Sequence, residues 1–199
     1  MIPVQSRKAP KGFNKKVYRR GRRWLRKNGH PLQGPAIGKD GRPIKLRAYW
    51  RACLQDLYDR YDGVCAYVSI YIDRVTGARS VDHFVAKSSA VEHAYRWSNY
   101  RLACGKVNGR KGTFDDLLDP FQIEEQTFLL NLLTGRIYPN PRLPQPLRDQ
   151  AQLTIDRLGL DDADCKLARL QFLDDYREKR ISDAYLKERC PFVWYEVHR

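Results

Sequence analysis

Asp82 and His83 stand side by side in "SVDHFVAKSS", Asn99 follows in "WSNY", and Asn108 and Lys111 lie in "CGKVNGRKG". These few side chains bring a carboxylate, an imidazole, two amides and an ammonium into a short stretch of chain. A carboxylate and an amide carbonyl are hard oxygen donors, suited first to Mg²⁺ and then to Mn²⁺, with waters filling the remaining positions. An imidazole with an unperturbed pKa of about 6.5 can take a proton from water near neutrality. The Asn99 amide can tie a loop through backbone groups. Asn108 and Lys111 are spaced i and i+3, so a helix would put them on one face. Each feature alone also fits a structural role: a satisfied Asp-His pair, a turn asparagine, a capped Gly-rich turn with an exposed lysine. The set is worth more than its members.

The elements around these residues suggest how they are positioned. In "KLRAYWRACLQDLYDRYD" (45–62) apolar residues from Leu46 to Tyr61 recur every three or four positions, which predicts a helix ended by Gly63. The β-branched and aromatic run "VCAYVSIYI" (64–72) predicts a strand, "VDHFVA" (81–86) a second, and "YRWSNYRLAC" (95–104) a returning extended segment. "GKVNGRKG" (105–112) then reads as a short helix or tight turn. "FLLNLLTGRIYPN" (128–140) reads as a hairpin with Thr134-Gly135 at its turn. Three helices are expected across 146–159, 161–180 and 181–190, the first stopped by Gly159. Adjacent residues on a strand point to opposite faces, so Asp82 and His83 need a strand end, twist or bulge to share a pocket.

The formal net charge is +14, and it is concentrated at the front. Residues 1–39 hold twelve Lys or Arg and no acid, leaving 25 basic and 23 acidic residues in the remainder. A basic front suits a polyanion, because each neutralised phosphate releases counterions; a solubilising tail is the alternative. Within it, Val17, Trp24 and Leu25 could anchor a short helix that Gly21 interrupts, and "PLQGPAIGKDGRPI" reads as a linker. The expected organisation is therefore a basic arm and linker over 1–44 and a domain over 45–199. No apolar run reaches the ~18 residues that span a bilayer, and the N-terminus lacks a signal-peptide core. A cytoplasmic protein with no membrane partner is expected. The five cysteines are odd in number and widely spaced, which argues for free thiols rather than a disulfide framework.

Asp-His, Asn, then Asn-x-x-Lys-Gly in a strand–loop–strand–helix frame resembles the HNH, or ββα-metal, endonucleases. "CAYVSIYIDRVTGARSVDHFVAKS", "YRWSNYRLAC" and "VNGRKGTFDDLLDPF" are similar to a bacterial subgroup that includes nuclease components of Septu-type and retron-associated phage-defence systems. The likeness covers roughly 45–160. It implies an α+β fold with a ββα core, flanking helices and the basic arm. It also implies roles: His83 as general base, Asp82 and Asn108 as ligands of Mg²⁺ or Mn²⁺, and Asn99 as the residue that fixes the loop and orients the base. Lys111 would support the phosphate or the fold. DNA would be the substrate, with Arg110 and the arm residues Arg19, Arg20, Arg22 and Arg23 holding phosphates. An anti-phage role would bring a regulatory ATPase partner.

Many relatives in that family carry two Cys-x-x-Cys pairs that hold a structural zinc. Here they read "CAYV" and "CGKV", so Cys65 and Cys104 remain while Val68 and Val107 replace their partners. Two thiolates cannot fill zinc's four positions. No structural zinc is expected; Val68 and Val107 could pack against one another, apolar burial standing in for metal bonds, with Cys65 and Cys104 near one another. His30, His93 and His198 have no comparable setting. Two other readings remain open: a degenerate HNH fold that binds nucleic acid or protein without cutting, and a ribonuclease using the same site.

Overall fold

The computed structural model describes residues 1–199. The protein is an α+β fold with two small antiparallel strand pairs among helices. A π-helical segment, Asn14–Tyr18, runs into α1, Arg19–Lys27. A 3₁₀ turn, Tyr49–Cys53, leads into α2, Leu54–Arg60. Strands β1 (Arg79–His83) and β2 (Tyr100–Cys104) follow, separated by two 3₁₀ turns, and α3 (Gly105–Lys111) begins where β2 ends. Strands β3 (Phe128–Leu130) and β4 (Ile137–Pro139) form the second pair. Four helices complete the chain: α4 (Gln145–Leu158), α5 (Ala163–Arg177), α6 (Asp183–Arg189) and α7 (Pro191–Val197).

The β1–β2 pair is antiparallel with Arg79 opposite Cys104, Val81 opposite Leu102, Asp82 opposite Arg101 and His83 opposite Tyr100. Helix α3 packs back on both strands, so strand, strand and helix form one compact ββα unit. Helices α2 and α4 pack against that unit from outside.

Several sequence expectations change in the structure. The predicted strand over 64–72 is a tight turn closed by a single bridge between Val64 and Tyr71. Ser69 adopts φ +55°, and its N–H donates to Cys65 O at 2.9 Å, so the chain doubles back on itself. Its apolar residues satisfy burial rather than a ladder, since Cys65, Ala66, Tyr67 and Val68 are all buried. The helix predicted over 45–62 begins only at the 3₁₀ turn, because Ala48 lies outside helical backbone space. It ends as expected: Gly63, at φ +69°, donates to Tyr58 O, and a β-carbon there would meet the Tyr58 and Tyr71 rings. Gly21 does not interrupt α1. It is the point where the Tyr95 ring seats against the helix, and a β-carbon would lie 2.3 Å from that ring.

Residues expected to form a separate arm and linker share the common core. Phe13, Val17, Leu25 and Ala36 are buried in the same apolar cluster as Leu57, Tyr100, Leu102 and Ile155. Arm residues are also tied in by hydrogen bonds: Arg7 N–H donates to the Tyr61 hydroxyl, and the Trp97 indole donates to Arg7 O. No helix is long and apolar enough to cross a membrane.

Candidate active site

β1 delivers Asp82 and His83 together because His83 is the strand's last residue. Asp82 faces the side covered by α3, while His83 faces the aromatic cluster of Trp50, Tyr95 and Tyr100. Beyond the strand end the two sides open into one cleft of about 340 Å³. Asp82, His83 and Asn108 all line it, alongside Trp50, Arg51 and Lys87.

His83 is 5% exposed. Its Nε2 lies 3.0 Å from Ala94 O. A carbonyl only accepts, so Nε2 carries the proton and Nδ1 keeps its lone pair. Tyr100 also donates to Ala94 O, at 2.9 Å, and the Trp50 and Tyr100 rings meet the imidazole edge-on. Burial, reinforced by the Lys87 charge, lowers the imidazole pKa to about 3, against the opposing bond to Ala94. The ring is therefore neutral at physiological pH.

Asp82 is 2% exposed. The Tyr67 hydroxyl donates to its Oδ2 at 2.5 Å, and Lys111 Nζ lies 3.5 Å from Oδ1. Burial raises the carboxyl pKa above its ordinary value even though Lys111 and Tyr67 pull it down. Any further positive charge in the cleft would favour the carboxylate.

Asn108 reaches the cleft from α3. Its Nδ2 donates to Ser80 Oγ at 3.0 Å, while the Ser80 hydroxyl donates to Ala103 O at 2.9 Å. The hydroxyl has one proton, so it can only accept from Asn108, which fixes the amide orientation. The Asn108 carbonyl oxygen is left without a protein partner. Asn99 sits behind the cleft, and the loop after β1 closes on it. Its Oδ1 accepts from Val85 N–H at 2.8 Å, and its Nδ2 donates to Val85 O and His93 O. These bonds hold the 84–99 loop, which also carries Ala94, the acceptor for His83.

The cations divide into two groups. Lys111 is fully buried, and Nζ donates to His83 O and Phe84 O, both at 2.9 Å. Of the two roles expected for it, supporting the fold is the one this position allows, because a phosphate in the cleft cannot reach a sealed ammonium. Arg110 is likewise turned away: it pairs with Asp162 at 2.7 Å and donates to Gly159 O, joining α3 to the α4–α5 junction. Arg22 donates to Leu32 O at 2.8 Å and pins the following loop. Arg19, Arg20 and Arg23 are exposed. Arg20 and Arg23, with Trp24, Lys27, Arg47 and Tyr49, line a second groove of about 480 Å³ with no acidic residue in its wall. The Arg20 guanidinium lies over the Tyr49 ring, 4.7 Å from its centre. Tyr49 is bonded to Trp50, so the basic groove and the Asp82–His83 cleft lie on either side of one dipeptide.

Some contributors carried no sequence signal as site residues. Tyr67 read as a strand residue and Trp50 as part of an apolar helical face. The Arg101–Asp119 pair is buried behind Asp82, with bonds of 2.8 and 2.5 Å, and the Arg101 guanidinium stacks on Phe121 at 3.6 Å. Asp119 lies in "DDLLDPF", where nothing distinguishes it from its acidic neighbours. The proximity of Asp82 and Lys111 is purely tertiary. Val68 and Val107 are both buried in the core, and the Cys104 N–H meets Cys65 Sγ at 3.4 Å, which brings the two thiols together as expected.

An all-oxygen donor pair suits a hard divalent cation. Asp82 and Asn108, which both line the cleft, carry oxygen donors of that kind. No protein-family model matches this chain, and no curated protein matches its sequence.

Proposed function

We propose that this chain is a divalent-cation-dependent endonuclease of the HNH type that hydrolyses phosphodiester bonds in DNA. The observation that carries the reading is the meeting, in one cleft, of an Asp82 carboxylate, an unpartnered Asn108 carbonyl and a His83 imidazole with a free Nδ1. The order strand, strand, helix supports it, as does the likeness of the motif residues to the HNH pattern.

Asp82 and Asn108 would hold Mg²⁺ or Mn²⁺. When bound there, such an ion supplies Lewis-acid stabilisation of the phosphoryl oxygens and of the leaving alkoxide. His83 supplies the base. With Nε2–H held by Ala94, Nδ1 accepts a proton from water as the water oxygen bonds to phosphorus and the P–O bond to the leaving nucleoside breaks. An imidazole with a pKa of about 3 is a weak base on its own. An incoming phosphate anion favours its protonated form, opposing the burial and the nearby positive charges that depress it. Lys87, Arg51 and the groove along Arg20 and Arg23 supply cations for phosphates flanking the scissile one. Such cations position a backbone without reading sequence. By the resemblance, a regulatory ATPase would restrain the enzyme in an anti-phage setting.

One observation favours a second reading, a non-cutting nucleic-acid-binding module: Asp82 already has partners in Tyr67 and Lys111 and is almost fully buried. A single assay separates the two. Supercoiled plasmid is incubated with the protein in Mg²⁺ or Mn²⁺, with EDTA, and with His83→Ala. Nicking that vanishes with EDTA and falls at least ~100-fold in the variant, the usual scale for losing a general base, supports the enzyme. Plasmid retardation without nicking by either protein supports the binding module. RNA in place of plasmid tests the ribonuclease alternative.

A further inference from the structure

Cys65 and Cys104 take no part in the proposed chemistry, yet they are the two thiols that the fold brings together. They are 39 residues apart in sequence, and the Cys104 N–H donates to Cys65 Sγ at 3.4 Å. Their accessibilities differ: Cys65 is fully buried, whereas Cys104, at the junction of β2 and α3, is partly exposed. Cys53, Cys165 and Cys190 are buried.

We propose that Cys65 and Cys104 form a reversible disulfide on exposure to a hydroperoxide, with Cys104 as the attacking thiol and Cys65 as the resolving one. The proposal does not rest on the nuclease reading. Cys104 is the member an oxidant can reach. Its hydrogen bond to the Cys65 thiol, despite partial burial, lowers its pKa to about 6, while burial keeps Cys65 a protonated thiol. In the first step the Cys104 thiolate attacks the peroxide. The O–O bond breaks, Cys104 becomes a sulfenic acid, and the alkoxide or hydroxide leaves and is protonated by water. In the second step Cys65 sulfur attacks Cys104 sulfur, the S–O bond breaks, and the Cys65 proton leaves with the hydroxide as water. In sum, two thiols and one hydroperoxide give a disulfide, an alcohol or water, and one further water.

The link would tie the 64–71 turn to the start of α3. Tyr67, two residues beyond Cys65, holds Asp82 through its hydroxyl. Asn108, four residues beyond Cys104, holds Ser80. The crosslink would thus clamp both sides of the cleft.

The test uses the full reduced chain, treated with hydrogen peroxide under native conditions, then unfolded and alkylated for intact-mass and tryptic analysis. The expected result is a loss of two hydrogens and a fall in alkylatable thiols from five to three. One linked peptide pair should contain Cys65 and Cys104, and dithiothreitol should reverse it. In Cys65→Ser, Cys104 should instead proceed to a sulfinic acid, because its resolving partner is gone. The proposal is overturned by a link between any other pair. It is equally overturned if unsubstituted protein accumulates sulfinic acid at Cys104 with Cys65 still alkylatable, or keeps five free thiols at a peroxide dose that consumes free cysteine.

Discussion

The two strand pairs of this protein are both antiparallel but bury different side chains. The β3–β4 pair turns Phe128, Leu130 and Ile137 into the core and places no charged group there. The β1–β2 pair buries Asp82, His83 and Arg101 among Val81, Leu102 and Ala103, each of the three at 5% exposure or less. Burying such groups is costly unless each is paired or hydrogen-bonded. Here each has partners: Tyr67 and Lys111 for Asp82, Ala94 for His83, Asp119 for Arg101. The apolar pair demonstrates that this fold can build a ladder without such groups. Unlike the residues of β3–β4, Asp82 and His83 also line the cleft at the strand end.

The largest expected effect on stability comes from Lys111→Met. It fills the same space but leaves Asp82 buried without its cation and two carbonyls without a donor. Removing one partner of a buried ion pair costs about 3–5 kcal/mol, readable by urea unfolding. Nicking should fall as well, because His83 O and Phe84 O lose their shared anchor. Leu130→Ala in the other pair should cost about 2–5 kcal/mol through its cavity. The activity of the molecules that remain folded should be unchanged. A variant of Leu130 that abolished nicking while folded would break the contrast between the two pairs.

Acid stability sharpens it further. The His83 pKa is near 6.5 when unfolded and about 3 when folded. As pH falls, the unfolded chain binds the proton first, so the stability contributed by the neutral ring is complete above pH 6.5 and is lost progressively towards pH 3. Asp82, whose folded pKa is raised, acts in the opposite sense, because the folded state binds its proton first. Comparing His83→Gln with the unsubstituted protein in EDTA isolates the histidine. The variant should lose less stability between pH 6.5 and 3; identical pH curves would mean that the ring is not buried and neutral. The smallest effect is expected in the basic groove. Arg20→Ala with Arg23→Ala should leave unfolding unchanged and reduce the slope of log affinity against log salt by about 2, because each arginine that neutralises a phosphate releases roughly one counterion.

The sequence singled out Asp82, His83 and Asn108 through the resemblance of the whole motif to the HNH pattern, and the structure brings these three to one cleft. Asp82, His83 and Asn108 meet at one cleft since β1 ends at the histidine and α3 starts directly after β2. The fate of the cations was not legible. Lys111, Arg110 and Arg22 look as available as Arg20 and Arg23, and only tertiary partners decide which are spent on carbonyls and carboxylates. The run over 64–72 was misread for a related reason: apolar, β-branched residues signal burial, and burial was achieved in a turn. Tyr67 therefore entered as a strand residue, whereas its hydroxyl is the closest partner of Asp82. Gly21 misled in the opposite direction, since close packing against Tyr95 requires a glycine inside a continuous helix.

The proposed reaction requires Asp82 and Asn108 to share one divalent cation beside a neutral imidazole. Anomalous diffraction from crystals grown with Mn²⁺ tests it most directly. A single strong peak is expected, bound by an Asp82 carboxylate oxygen and the Asn108 carbonyl oxygen and absent from crystals of Asp82→Ala. A cleft that stays without a peak at saturating Mn²⁺, or a peak bound by other residues, would contradict it.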